Sequence, residues 1–272
     1  MRVATASETF AANRATGHIA LSVAASGGRT RRTRVHEEGS QRVRFPNAAP
    51  DALEAMIVNT AGGMAGGDRF AVELKVDAGA SLIVGSAAAE KIYRSTGPAT
   101  EVSLNLDIGA GARLAWLPQE TILFNRARLS RHIEIDLADE ASLVLAEPLV
   151  FGRSAMGEAV EEGMLADRWR LRRGGRLVFA ESARLDGAIS HKLAAPAVAA
   201  GGFALATVLI VPGGDTTTAT VRALDFAGEA GISAWNGIAV ARLCAKDSAV
   251  LRRDLIAMLA ALGQRVPRLW LQ

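Results

Sequence analysis

The sequence is poor in the residues that most often mark catalytic or metal sites. Cys244 is the only cysteine, which excludes an intrachain disulfide and a cysteine-based metal cluster. The four histidines are scattered, with no H-x-x-x-H pair, and no G-x-S-x-G sequence is present. Aromatic residues make up only 5% of the chain, so its core must be built from Ala, Val, Leu and Ile. No pattern therefore marks a tightly bound metal or a catalytic residue.

The chain also lacks an apolar segment suited to secretion or to crossing a membrane. No hydrophobic stretch follows the N-terminus, which predicts a cytoplasmic protein. Residues 193–212 carry no charge, and the next charged residue is Asp215, but Pro196, Gly201 and Gly202 divide the stretch. We expect a buried strand at residues 203–211 that leads into a turn, and no membrane partner.

Positive charge is concentrated in one short region. The net charge is +3, and six arginines lie between Arg29 and Arg44 with Phe45 as the neighbouring aromatic residue. Nucleic-acid surfaces combine basic residues with stacking aromatic side chains, so this composition does not favour a nucleic-acid partner. A solvated or protein-facing strand is the better interpretation.

A glycine-rich stretch, residues 58–70, is the most unusual local feature. Gly62, Gly63, Gly66 and Gly67 precede Asp68. Such density predicts tight turns, a close approach of the backbone to another surface, or an anion site. A phosphate loop would end in Gly-Lys-Ser/Thr, whereas this one ends in an acid. A turn between strands and a close-approach surface with a functional Asp68 remain as alternatives.

Period-two hydrophobic patterns and a repeated turn predict an all-β fold. Apolar residues alternate with polar ones around residues 72–76, 102–108 and 133–137. The turn-like segments GASL, GARL, EASL and GGRL begin at residues 79, 111, 140 and 174, which are 32, 29 and 34 residues apart. Such a period is typical of stacked sheet layers, as in a β-solenoid or a sandwich. We expect one domain over residues 1–272, with residues 1–17 loose.

About two helices are expected, and the stronger one lies near the C-terminus. Apolar residues between Leu251 and Leu262 fall at helical spacing, and Asp247 or Ser248 is suited to cap the helix. A weaker helical pattern covers residues 217–230.

Several acids are embedded in apolar or glycine-rich strands. An ionised carboxylate is costly to bury unless it is paired, hydrated or bound to a cation. Salt bridges to the abundant arginines are one explanation, and a polar or cation path through an apolar body is the other. The acids are Asp68, Glu90, Glu120, Glu147, Glu158 and Glu181.

Five segments, in order, carry a family resemblance that covers roughly residues 18–271. They are NTAGGMAGGDR (59–69), EKIYRS (90–95), WLPQETILF (116–124), EPLVFGRSAMGE (147–158) and PRLW (267–270). Together they resemble the urease accessory proteins of the UreD family, called UreH in some organisms. The resemblance implies a layered, helical all-β fold (β-solenoid-like) with two helices. It also implies a protein that is not an enzyme, that joins UreF and the GTPase UreG on the urease structural subunits, and that helps deliver nickel.

The resemblance and the embedded acids suggest two hypotheses about sites. Oxygen ligands hold Ni²⁺ less firmly than imidazole or thiolate, so an acid-lined path suits transient nickel, without a tightly bound cofactor. Asp68, Glu147 and Glu181 are expected to line or gate this path. Further path or motif candidates are Glu120, Glu158, Arg153, Lys91 and Tyr93.

The second hypothesis places the UreF interface on the C-terminal helix and tail, with Pro267, Arg268 and Trp270, because Trp and Arg are favoured interface anchors. Two alternatives stay open. One is a β-rich binding module with no metal role, whose acids all pair with arginine. The other is a β-solenoid enzyme with two carboxylates about 5–10 Å apart in an aromatic-lined groove, which the low aromatic content disfavours.

Overall fold

The computed structural model describes residues 14–46, 52–153 and 156–271, and strands dominate this part of the chain. Most of the segment expected to be loose, residues 1–17, lies outside these ranges, and residues 14 and 15 lead into β1. The first strands are β1 (Thr16–Ser26), β2 (Arg29–Gly39), β3 (Gln41–Arg44), β4 (Leu53–Asn59), β5 (Arg69–Val76), β6 (Ser81–Ser86), β7 (Glu90–Ile92), β8 (Thr100–Ile108) and β9 (Arg113–Leu117). They are followed by β10 (Thr121–Leu123), β11 (Arg128–Leu137), β12 (Ser142–Phe151), β13 (Glu162–Arg173), β14 (Arg176–Ala188), β15 (Ala204–Val211), β16 (Glu229–Trp235) and β17 (Ile238–Ala245). The helices are α1 (Ile189–Ala194), α2 (Asp215–Arg222), α3 (Ser248–Ala261) and a 3₁₀ turn at Arg268–Leu271.

Two sheets are stacked face to face. The seven-stranded sheet has the order β14-β13-β11-β8-β5-β1-β2. The ten-stranded sheet has the order β16-β17-β15-β12-β9-β6-β4-β3, with β10 joining β12 to β7. From β4 to β13 the chain passes repeatedly from one sheet to the other, and its strands pair in parallel with the equivalent strands of the next coil. The short strands β7 and β10 follow β6 and β9 within the ten-stranded sheet. This arrangement confirms the prediction of an all-β, solenoid-like body.

The repeated turn marks corners of the coil. Gly79, Gly111 and Glu140 lie between a strand of the seven-stranded sheet and the next strand of the ten-stranded sheet, with φ of 69°, 64° and 61°. Glycine adopts this left-handed conformation without strain, which explains two of the three residues. The fourth segment differs, because Gly174 and Gly175 close a hairpin between β13 and β14 within one sheet.

The C-terminal helix forms as expected. Asp247 caps α3 by accepting a hydrogen bond from the backbone N–H of Ala249 at 2.6 Å. One face of the helix packs on the outer surface of the ten-stranded sheet and contributes Leu251, Leu255, Met258 and Leu259 to a buried cluster. The outer face of the seven-stranded sheet stays exposed, so the two sides of the molecule differ.

The weaker helix is shorter than predicted. The pattern over residues 217–230 continues past the end of α2 at Arg222, but the chain then turns into β16. The backbone N–H groups of Ala227 and Gly228 donate to the carboxylate of Asp254 at 3.2 and 2.7 Å. This acceptor on α3 holds the segment in a turn, which a local pattern could not indicate.

Two further expectations about the chain are met. The uncharged stretch contains β15, which lies between β12 and β17 and confirms the predicted buried strand. Across the described ranges, no helix has the length and apolar character needed to cross a membrane.

Candidate functional site

A polar layer interrupts the apolar interior between the two sheets. Arg131 on β11 occupies an inward position in phase with the buried Leu129 and Ile133. Asp167 is its register partner on β13, and Glu147 projects from β12 of the opposite sheet. The three side chains are 5%, 8% and 5% exposed, so ionisable groups replace apolar ones at one level of the core.

The layer is held by a fork of hydrogen bonds around one guanidinium. Arg131 Nε and Nη2 donate to the two oxygens of Asp167 at 3.0 and 2.6 Å. Arg131 Nη1 donates to Glu147 Oε2, and the indole Nε1 of Trp116 donates to Glu147 Oε1 at 2.6 Å. Each carboxylate oxygen therefore receives a donor, which is the condition for keeping buried charges in place.

The cluster carries excess negative charge. Two carboxylates share one guanidinium, so one negative charge stays uncompensated when all three groups are ionised. Burial raises the pKa of Glu147 above its usual range, although Arg131 and Trp116 oppose the shift. Burial lowers the pKa of Arg131, but Asp167 and Glu147 outweigh it and raise that pKa, so Arg131 stays charged. A proton or a bound cation beside Glu147 would relieve the imbalance.

Two cavities meet at Glu147. One is a smaller cavity of 80 Å³ between the sheets, lined also by Arg131 and Trp116. The other is an open cleft of 620 Å³, lined also by Asp167 and Glu181. β12 pairs with β9 through residues 142–145 and with β10 through residues 149–151, which leaves residues 146–148 without a ladder partner on that side. The sheet is therefore interrupted beside the residue that lines both cavities.

Glu181 and Cys244 face the open cleft. Glu181 forms an ion pair with Arg242 at 2.8 Å, and its own side chain is 16% exposed. Burial and the nearby Glu229 raise the pKa of the Cys244 thiol, so the thiol form is favoured. The cleft thus offers carboxylates but no activated thiolate.

Glu90 lines the smaller cavity between the sheets. Its carboxylate accepts a hydrogen bond from Asn59 Nδ2 at 3.0 Å. Burial is the largest influence and raises the pKa of Glu90, while Asn59 and Lys91 oppose the shift. Glu90 and Glu147 are therefore two acids with raised pKa values on one cavity.

Asp68 is placed differently from the other proposed path acids. Its carboxylate oxygens accept hydrogen bonds from the backbone N–H groups of Ala15 and Ala65 at 2.9 and 2.7 Å. Asp68 is 4% exposed and fastens the chain leading into β1 to the glycine-rich stretch. The residues described along the two cavities do not include it, so a path role for Asp68 stays a prediction.

The glycine-rich stretch combines positive backbone angles with close approach. Gly62, Gly63 and Gly67 have positive φ. A Cβ at Gly66 would lie 1.9 Å from Ser95 Oγ, so only glycine fits there. Both structural explanations offered by the sequence therefore apply to this stretch.

Residues of the next three sequence motifs are in contact around the Phe124 ring. The Tyr93 hydroxyl donates to the Gly62 carbonyl at 3.1 Å, and its ring packs edge-on against Phe124. Arg153 lies over the Phe124 ring, 4.2 Å from its centre, and pairs with Glu158 at 2.7 Å. Lys91 is exposed, and its backbone carbonyl accepts from Met64. These contacts connect separate motifs without reaching the polar layer.

Glu120 and the C-terminal tail link the ten-stranded sheet to its helical cover. Both oxygens of Glu120 receive donors from Arg252 of α3, at 2.8 and 2.6 Å. Trp270 is 3% exposed and donates its indole N–H to the Leu117 carbonyl at 3.1 Å. Pro267 is also buried, whereas Arg268 is exposed. The predicted interface anchor Trp270 is thus packed on its own core, and an interface role for the tail stays a prediction.

Sequence reasoning missed the partners of Glu147. Arg131 and Asp167 are in phase with the apolar residues of β11 and β13, so each is a charge at a position expected to face the core. That phase was readable from the alternation alone. Their pairing could not be predicted in the same way, because it depends on β11 and β13 being neighbours in parallel register.

Comparison with known proteins identifies the family. The sequence model for the UreD urease accessory protein matches residues 15–271. A urease accessory protein UreD of Rhodopseudomonas palustris strain BisA53 is 57% identical over 97% of this chain and 93% of its own length. The UreD of Bradyrhizobium diazoefficiens is 56% identical over 97% of each chain. The chain therefore belongs to the UreD family of urease accessory proteins.

Proposed function

We propose that this chain acts in urease maturation as a scaffold that joins UreF and UreG to the urease structural subunits in the cytoplasm. It performs no catalysis itself and helps nickel reach the urease active site along a hydrated path lined by Glu147 and Glu181. The observation that carries the proposal is the position of Glu147, which lines both the smaller cavity and the open cleft and belongs to a cluster of excess negative charge.

The ligand chemistry supports a path rather than a store. Glu147, Asp167 and Glu181 offer only carboxylate oxygens, which bind Ni²⁺ more weakly than imidazole or thiolate. Arg131 already forms ion pairs with the two most deeply buried of these acids. A passing cation therefore has to compete with the guanidinium for their oxygens. Weak binding in competition with Arg131 favours release of the Ni²⁺ ion. Nickel in this proposal is therefore cargo rather than a resident cofactor.

A second function is favoured by a different observation. Each of Glu120, Glu147, Glu158 and Glu181 forms an ion pair with an arginine. These pairs are what a β-rich binding module with no metal role would contain, since salt bridges explain buried acids without transport. The two functions differ in whether the charge of Glu147 matters once the complex has assembled.

The test is urease activation in cells that co-express the structural subunits and all accessory proteins, with Glu147→Gln in this chain. This change removes the charge and keeps the size of the side chain. Glu101→Gln is the matched control, because Glu101 forms an exposed ion pair with Arg69 on the outer sheet face. Complex assembly is measured in parallel by size-exclusion chromatography with UreF.

We expect Glu147→Gln to lower activation at least fivefold while the complex still assembles, and Glu101→Gln to leave activation unchanged. Full activation by Glu147→Gln would exclude the acid path and favour the binding module. Glu181→Gln, in the open cleft, provides a second variant should Glu147→Gln fail to fold. Failure of the wild-type chain to co-elute with UreF would contradict the scaffold itself.

A further inference from the structure

Two histidines and two glutamates lie together on the exposed face of the seven-stranded sheet. His18 is the register partner of Glu38 across β1 and β2, and His36 and Glu73 both face Ala20 from the strands on either side of β1. All four side chains point outward, because Ile19 and its neighbours in phase fill the core. The strand pairing therefore gathers four metal-binding side chains at one point.

The distances suit a transition-metal ion. One ligand atom from each of His18, His36 and Glu38 can be chosen so that all three lie within 4.8 Å of one another. His36 Nε2 lies 3.5 Å from Glu38 Oε2, and His18 Nε2 lies 3.3 Å from Glu73 Oε1. Ligands about 2.0–2.1 Å from a tetrahedral ion are about 3.3–3.4 Å apart, which is close to these separations.

His18 provides an independent indication that a ligand is expected. Its Nε2 atom is shielded from solvent, and no described group meets it at hydrogen-bond geometry. The contact with Glu73 is near enough for an ion pair but is not aligned as a hydrogen bond. A buried nitrogen without a hydrogen-bond partner is energetically unfavourable. A bound ion at this position would give the nitrogen a partner and remove that energetic cost.

The side chains around this nitrogen remain accessible. The side chains of His18 and His36 are 30% and 43% exposed, and those of Glu73 and Glu38 are 53% and 67% exposed. The two imidazole rings stand edge to face with centres 5.2 Å apart, so both can turn a nitrogen towards a shared ion. An ion can therefore reach His36, Glu38 and Glu73 from solvent, and movement of these exposed side chains would open His18 Nε2 to it.

We propose that His18, His36 and Glu38, with Glu73 as a further carboxylate, form a binding site for a divalent transition-metal ion such as Ni²⁺ or Zn²⁺. Imidazole ligands select this class of ion over Mg²⁺ and Ca²⁺, and solvent completes the coordination. The site is separate from the Glu147 cluster, which lies on the inner side of the same sheet. It does not depend on the proposed nickel path.

The experiment is calorimetric titration of the purified chain with Ni²⁺ alone and Zn²⁺ alone. The test variants are His36→Gln and Glu38→Gln, both at accessible positions, together with His18→Gln. His132→Gln is the matched control, because His132 faces outward from β11, three strands away in the same sheet. Far-UV circular dichroism checks that each variant is folded.

We expect the wild-type chain and His132→Gln to bind one equivalent at the same affinity. His18→Gln and His36→Gln should each weaken that binding at least tenfold, and Glu38→Gln at least threefold. The absorption spectrum of bound Co²⁺, which reports ligand type and geometry, should change in His18→Gln and His36→Gln but not in His132→Gln. Wild-type binding weaker than about 1 mM, or equal losses in His36→Gln and His132→Gln, would overturn the proposal. These outcomes need no urease, so they are distinguishable from failure of the nickel path.

Discussion

Replacing Arg131 by Met tests whether the polar layer is held by one shared cation. Methionine fills the space of the aliphatic part of the arginine side chain without supplying a charge or a hydrogen-bond donor. The change leaves Asp167 and Glu147 facing each other in the core with side chains 8% and 5% exposed. Only Trp116 would still donate to this pair of acids among the partners described above.

The expected cost follows from what the two acids lose. Removing one partner from a buried ion pair costs about 3–5 kcal/mol, because the remaining charge is uncompensated. Arg131 serves two carboxylates, so we expect a loss near the upper end, about 5 kcal/mol in the free energy of unfolding. For a domain of this size that corresponds to a fall of about 10–20 °C in Tm.

The assay is urea unfolding followed by tryptophan fluorescence at several pH values. In the variant, the missing cation raises the pKa of Glu147 further above its ordinary value of 4.5, in the direction that burial already favours. The folded state then binds protons more readily than the unfolded state, so its stability falls as pH rises. The deficit of Arg131→Met should therefore shrink as pH is lowered from 7 towards about 4.5.

A matched control separates this effect from a general loss of arginine. Arg172 on β13 pairs with Glu134, and their side chains are 38% and 39% exposed. Arg172→Met should cost less than about 1 kcal/mol, as exposed ion pairs do. A loss below about 1 kcal/mol for Arg131→Met, or a deficit that is independent of pH, would refute the account of the polar layer.

Two further predictions concern a corner and the tail. Glu140→Gly should raise the free energy of unfolding by about 0.5–1 kcal/mol in a urea titration, because Glu140 has a φ of 61° where Gly111 occupies the equivalent corner; unchanged or lower stability would contradict this. Trp270→Ala should lower the free energy of unfolding of the isolated chain by about 3–5 kcal/mol, since Trp270 is 3% exposed. Arg268→Glu should leave that stability unchanged and weaken co-elution with UreF. Intact co-elution of Arg268→Glu would remove Arg268 from the interface hypothesis.

Strands were the most predictable part of the fold. The alternation of β5, β8 and β11 follows from having one face in the core, which is a property of each strand alone. The repeated turn is also local, because a corner needs a left-handed residue wherever it occurs. The end of α2 was not predictable, since it depends on Asp254, which lies 32 residues after Arg222.

The acids illustrate the limit of local reasoning about sites. Glu147 stands out in the sequence because it is surrounded by apolar residues, and it does lie in the core. Asp68 stands out equally, yet it accepts hydrogen bonds from backbone N–H groups and lines neither of the two cavities. Composition shows that a buried acid needs a partner, but it does not distinguish a guanidinium, an amide and a cation.

The sequence by itself determined the all-β class, the spacing of the corners, the C-terminal helix and the family to which the chain belongs. These features depend on residue order over short distances or on motifs that recur in order. The tertiary structure decided which charges meet: Arg131 with Asp167 and Glu147, and His18 with His36 and Glu38. Parallel pairing of β11 with β13 brings together Arg131 and Asp167, which are 36 positions apart, and antiparallel pairing of β1 with β2 gathers the histidines. The stacking of the two sheets faces Glu147 of one towards Arg131 of the other. Such contacts depend on strand order and register, which the local pattern of each strand does not contain.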